Sequence, residues 1–130
     1  MPRTGRCLCG GVSFTAEPMP AVQACHCESC RKWGGGPFLS VPCKEAAFEG
    51  AVSRYALTEH ADRAFCPTCG THLYFYAKAQ DVHAIPAGLF DDASGMPFRA
   101  EVFIDEKPDY YDFANETRRM TGAEYVEKFR

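Results

Sequence analysis

Seven of the eight cysteines fall in three clusters: Cys7-x-Cys9, Cys25-x-Cys27-x-x-Cys30 and Cys66-x-x-Cys69. Thiolates are soft ligands that close a structural zinc site in fours, and a catalytic site keeps one position for water or substrate. In CPTCG, Pro67 and Gly70 make the tight turn of a zinc knuckle, which aims backbone N–H groups at the sulfurs. Cys7-Leu-Cys9-Gly-Gly is a looser half-site. On a regular strand, residues two apart share a face, so both of its sulfurs can reach one ion. Pairing Cys7 and Cys9 with Cys66 and Cys69 completes a Cys₄ centre and leaves Cys25, Cys27 and Cys30 one ligand short. Spacing does not force that partition. Cys7 and Cys9 can instead join members of the trio, and His26 or His72 can supply a fourth ligand that closes it.

An open three-thiolate zinc centre carries a net charge of −1 and has room for a thiol. A thiol that joins it loses its proton, because Zn²⁺ stabilises the thiolate strongly. Its sulfur, held in place at neutral pH, can attack a small electrophile such as an aldehyde. The chemistry is carbon–sulfur bond formation, run in either direction. Two rivals use the same residues. One is a non-enzymatic zinc scaffold or interaction module with the trio closed by histidine. The other is a thiol redox protein using Cys27 and Cys30 as a CxxC pair.

The rest of the sequence frames these sites. At 130 residues, with 46% hydrophobic and 24% charged residues, the chain suits one domain (1–130) that buries its own core without disulfide staples. MPRTGR leads into Cys7 with no apolar leader, and no run is long enough to span a membrane. A cytoplasmic location with reduced thiols is therefore expected, with no membrane partner, and the cysteines read as metal ligands. Seven thiolate charges against two divalent ions take the formal net charge from −3 to −6. Arg31-Lys32 and Arg118-Arg119 are only doublets, so nucleic acid is excluded as the main partner.

Short strands separated by turn residues predict a mainly β fold. A hairpin is expected over 5–16, turning at Gly10-Gly11, with Val12, Phe14 and Ala16 on one face. Further strands are expected over 21–25, 38–42, 52–57, 62–66, 71–77, 82–88 and 98–104. Ser29–Lys32 and Asp109–Ala114 each suit one helical turn. Residues from Thr117, with Tyr125, Val126 and Phe129, suit a short amphipathic helix, and Asp91–Met96 suits a loop.

CxCGxVxFxAE at 7–17, the CHCxxCRKxGG-like stretch at 25–35 and FCPxCGTxLYF at 65–75 together resemble the glutathione-dependent formaldehyde-activating enzyme family, also called the centromere protein V family. The resemblance covers about 5–108, ending in EVFIDEKPDYY, and leaves 109–130 as a C-terminal tail. It implies a β-tent of antiparallel sheets with zinc knuckles. It also implies a structural zinc on Cys7, Cys9, Cys66 and Cys69, and a catalytic zinc on Cys25, Cys27 and Cys30. The implied activity is a carbon–sulfur lyase reaction joining formaldehyde to glutathione, so the implied partners are a small-molecule thiol and an aldehyde, with glutathione as co-substrate.

Other residues admit two readings each. Arg31 and Lys32 can pair with glutathione carboxylates or stay solvated, and Gly35, within Gly34-Gly35-Gly36, can approach the thiol substrate or simply turn the chain. Trp33 and Phe38 suit a core or a pocket wall. The ring of His26 is expected to point away from the metal, because the cysteines on both sides face it. His72 suits packing or a bond to a metal thiolate. Cys43 reads as a small buried hydrophobe. His60 and His83 lack a supporting constellation. Asp105, Glu106, Asp109 and Asp112 read as a solvated acidic rim.

Overall fold

The computed structural model describes residues 1–129, with side chains described to 128; that of Phe129 lies outside the described residues. Ten strands follow in order: β1 Arg3–Arg6, β2 Ser13–Pro18, β3 Val22–Cys25, β4 Phe38–Glu49, β5 Ser53–Thr58, β6 Ala61–Phe65, β7 His72–Ala77, β8 Val82–Pro86, β9 Phe98–Val102 and β10 Arg118–Met120. Helix α1, Glu28–Gly34, lies between β3 and β4, and α2, Gly122–Phe129, ends the chain.

The strands make one sheet in the order β10-β9-β3-β4-β8-β7-β6-β5, with β2 pairing both β1 and β4. The twelve-residue β4 is the hub. Its first part pairs β3 and β8, and its second part pairs β2. The fold is mainly β and mostly antiparallel, with one parallel corner where β9 lies between β3 and β10.

Val12, Phe14 and Ala16 are buried together as the alternating pattern predicts, and they pack with Val41, Leu73 and Ile85 in the main core. Cys43 is fully buried there, and burial alone pushes its thiol up to about 12. His83 sits between Tyr76 and Tyr74, where burial holds its pKa down. Among the described residues, no helix is long and apolar enough to cross a membrane.

Three local expectations give way. Cys7 and Cys9 are not on a strand: they sit in the connection between β1 and β2, a turn of their own. Residues 109–114 form no helix. Tyr111 and Phe113 instead both lean on His26, and Phe113 packs edge-on against Phe98. The start of the expected C-terminal helix is β10, because Thr117 and Arg119 reach the buried Glu101 carboxylate and draw this segment alongside β9.

The entry to the first cysteine turn is tightly packed. A Cβ on Gly5 would meet the Leu89 carbonyl oxygen at 2.3 Å and the Phe14 ring at 2.4 Å. Gly5→Ala is expected to lower unfolding free energy by about 2–3 kcal/mol, as overpacking does. Urea denaturation checks this, and an unchanged midpoint would show that β1 is free to shift.

Candidate metal centres

Two turns build the first sulfur group. In one, the Cys7 N–H bonds to the Val12 carbonyl (2.9 Å), and Gly10, at φ 78°, donates to the Cys7 carbonyl (3.1 Å). The Val12 and Gly11 amides then point at the Cys7 and Cys9 sulfurs, at 3.3 and 3.4 Å. In the other, the Cys66 N–H bonds to the Thr71 carbonyl (2.9 Å), and Gly70, also at φ 78°, donates to the Cys66 carbonyl (2.8 Å). Both positions take the left-handed conformation that glycine adopts without cost.

Thr71 links the turns. Its hydroxyl accepts from the Leu8 amide (3.1 Å) and donates to the Cys69 sulfur (3.1 Å). With the Thr71 amide, that contact holds the Cys69 thiol down to about 5. The four sulfurs lie within 4.8 Å of one another. Cys7–Cys9 is 3.6 Å and Cys9–Cys66 is 3.8 Å. A tetrahedral ion with metal–sulfur bonds of about 2.3 Å separates its sulfurs by about 3.8 Å. This group can hold a metal ion.

Cys25, Cys27 and Cys30 form the second group, again within 4.8 Å. Cys25 ends β3, fixed between Phe38 of β4 and Val102 of β9. Cys27 is the N-cap of α1, and its sulfur accepts from the Cys30 amide at 3.4 Å, so one helical turn lays Cys30 beside it. Hydrogen bonds from Cys25 and Cys30 draw the Cys27 thiol well down, while the same contact with Cys27 pushes Cys25 well up. Sulfurs this close share protons as a set.

Among the described residues, no histidine or carboxylate joins the trio. His26, fully buried, turns its ring away: Nδ1 meets the Tyr111 hydroxyl (2.7 Å) and Nε2 meets the Glu101 carboxylate (2.8 Å). His72 packs on Trp33, ring centroids 4.4 Å apart, and burial lowers its pKa. Two of the expected acidic-rim residues hold backbone instead. Glu106 accepts from the Glu28 amide at the start of α1, and Asp105 accepts from the Gly122 amide.

The trio borders a cavity of about 650 Å³ whose walls include Phe38, Leu57, Phe75 and Val82. Arg31, Lys32 and Gly35 do not line it. Arg31 Nε donates to the His26 carbonyl (3.0 Å), Lys32 is exposed, and Gly35 is the left-handed cap of α1, at φ 84°.

Arg63, which the sequence did not single out, does line the cavity and is 1% exposed. Its Nη2 donates to Ser29 Oγ (3.0 Å) and Cys30 Sγ (3.4 Å). Its guanidinium carbon lies 5.1–5.9 Å from the ring centroids of Trp33, Phe38 and Phe75. The strand Ala61–Phe65 reads ADRAF, with Asp62 beside Arg63, and charged residues in such a setting are usually solvated.

The family profile described as glutathione-dependent formaldehyde-activating enzyme matches residues 2–106. This chain belongs to that family. A Schizosaccharomyces pombe protein called an uncharacterised lyase is 41% identical over 127 residues, which is 94% of this chain and 93% of the relative. A Halomonas elongata protein bearing the family's name is 28% identical over 140 residues, 95% of this chain and 88% of its own. The backbone is similar to a Rhodobacter sphaeroides crystal structure with a TM-score of 0.59 at 20% identity, covering 73% of this chain and 98% of that one. The likeness to that structure concerns the fold. In this member of the formaldehyde-activating family, both sulfur groups fall within the matched residues, and the tail beyond 106 supplies Tyr111 and Thr117 to the back of the trio.

Glu101 is buried and serves His26, Thr117 and Arg119 together. Glu101→Ala leaves those groups without their shared acceptor and is expected to cost about 3 kcal/mol. Thermal unfolding of the variant measures it, and a loss below about 1 kcal/mol would show that the tail holds the trio by other means.

Proposed function

We propose that this chain is a zinc-dependent carbon–sulfur lyase that adds a thiol, glutathione being the candidate, to a small aldehyde such as formaldehyde. Two Zn²⁺ ions per chain complete it. Cys7, Cys9, Cys66 and Cys69 would hold the structural ion, and Cys25, Cys27 and Cys30 the catalytic one. The observation that carries the reading is the difference between the groups: four sulfurs close on themselves, and three border a cavity. The donor sets suit zinc, since thiolates at tetrahedral spacing with amide N–H groups aimed at them favour a soft divalent ion. The family membership and the name of the S. pombe relative support a lyase using glutathione and formaldehyde.

Zn²⁺ bound by the trio would supply the positive charge that keeps an incoming thiol ionised at neutral pH. The chain's own residues do the rest. β3 and α1 fix the three sulfurs on one side, which leaves the cavity side for the substrate sulfur. The apolar walls exclude water from the carbonyl carbon as the sulfur approaches. The new bond is C–S; the carbonyl π pair moves to oxygen, which takes a proton from solvent to give the hydroxymethyl thioether. The thiol's own proton leaves to solvent on ionisation, so the addition is balanced without an oxidant or reductant.

Native mass spectrometry is expected to find two zinc ions in the wild-type chain and one in Cys27→Ala. The same variant should lose at least about a hundredfold in the rate of hydroxymethyl-thioether formation, followed by NMR with ¹³C-formaldehyde. In the two-cobalt protein, glutathione should shift the visible bands of one ion. A metal-free trio that oxidises to a Cys27–Cys30 disulfide would point to redox chemistry, and two-metal protein whose bands ignore thiols would point to a scaffold.

A further inference from the structure

The guanidinium of Arg63 carries more hydrogen-bonding capacity than the protein uses. Nη2 is spent on Ser29 and Cys30. Nε and Nη1 are buried with no hydrogen-bond partner among the described residues. Leaving buried donors unpaired is costly, and a folded protein seldom does so without a use for them. Both atoms belong to a side chain lining the cavity that the trio borders, on the strand opposite Tyr55 and Phe75.

The charge around this point favours a neutral ligand. Three thiolates, a divalent ion and one guanidinium sum to zero, an ionised substrate thiol takes the sum to −1, and among the described residues no Lys, Asp, Glu or other Arg lines the cavity. A carboxylate on the electrophile, held beside the sulfurs, would add a further negative charge that no lining residue there offsets, whereas the carboxylates of a longer thiol can stay at the cavity mouth, where Thr58 and His60 are exposed. The two unpartnered nitrogens suit single contacts to one oxygen. Away from Arg63, the walls are carbon-rich: Leu57 of β5, Phe75 of β7, Val82 of β8 and Phe103 beyond β9.

We propose that the cavity selects a neutral carbonyl compound with an apolar substituent, that Arg63 donates to its oxygen through the unpartnered nitrogens, and that Leu57, Phe75 and Val82 cover its hydrocarbon part. Arg63 then acts on the reacting oxygen: as the C–S bond forms, negative charge moves onto the atom to which the guanidinium donates. Its Cys30 and Ser29 contacts, with the three rings around it, fix the cation so that no reorganisation is needed when that charge appears. This assignment rests on the thiol–carbonyl reading above, and it names the electrophile that the site is shaped for.

Unreactive amides test binding apart from turnover. Acetamide and hexanamide share the carbonyl and differ in apolar length. Each is titrated into the zinc-loaded full chain by calorimetry and by the fluorescence of Trp33, the chain's one tryptophan, which lies against Arg63. Hexanamide is expected to bind at least tenfold more tightly than acetamide, since each buried methylene is worth up to about fourfold. Arg63→Met should weaken hexanamide binding by about ten- to a hundredfold, and Arg63→Lys by less. Leu57→Trp, which fills the apolar end and keeps the arginine, should bring hexanamide down to the affinity of acetamide; it decides the question if Arg63→Met does not fold.

Equal binding of the two amides, or hexanamide binding indifferent to both the Arg63 and Leu57 variants, overturns the assignment even if thiol addition to formaldehyde is fast. Arg63-dependent hexanamide binding in a protein that adds no thiol to hexanal supports the pocket and contradicts the reaction instead.

Discussion

Three sulfurs held within 4.8 Å in a partly buried pocket cannot all ionise unless positive charge is brought to them. Much of the surrounding structure answers that constraint. The Cys30 amide donates to the Cys27 sulfur, the Arg63 guanidinium touches Cys30, and the trio offers a divalent ion three donors on one side. The remaining charge has to come from the ion. The arginine is in turn held by aromatic faces, an arrangement that keeps a cation in an apolar setting without a carboxylate that would compete for it.

The two sulfur groups are made by different means. The quartet joins two glycine-bearing turns that share the Thr71 hydroxyl, so its donors come from loops tied to strand ends. The trio takes one sulfur from the end of β3, one from the N-cap of α1 and one from its first turn. Behind it, His26 alternates in direction with its cysteine neighbours and is gripped by Glu101 and Tyr111. That grip recruits the C-terminal tail, since the same carboxylate also binds Thr117 and Arg119. The tail therefore braces the trio from behind, and Tyr125 of α2 joins the cavity wall.

The residues that carry a local signal were readable in advance. Cysteine spacing marked both groups, because knuckle turns are set by a few adjacent residues, and alternation at Val12, Phe14 and Ala16 marked the buried face of β2. The features that escaped are made by partners far away in sequence. Arg63 looks like any charge in a strand until the fold brings Ser29, Cys30 and three rings around it. β10 exists because Glu101, sixteen residues before Thr117, supplies a buried acceptor. Cys7-x-Cys9 suited a strand by parity and forms a turn because Gly10 can take a positive φ. Residues 109–114 suited one helical turn, yet the rings of Tyr111 and Phe113 are drawn onto His26, eighty-odd residues earlier, and Phe113 also onto Phe98.

The central claim is that the ion on Cys25, Cys27 and Cys30 keeps one coordination position open toward the cavity. Diffraction from the zinc-loaded protein at the zinc absorption edge tests it most directly. The account predicts two anomalous peaks, one ringed by four sulfurs and one by three sulfurs and an atom that does not belong to the chain. A second ion enclosed by four protein donors, or no second peak at all, would contradict it.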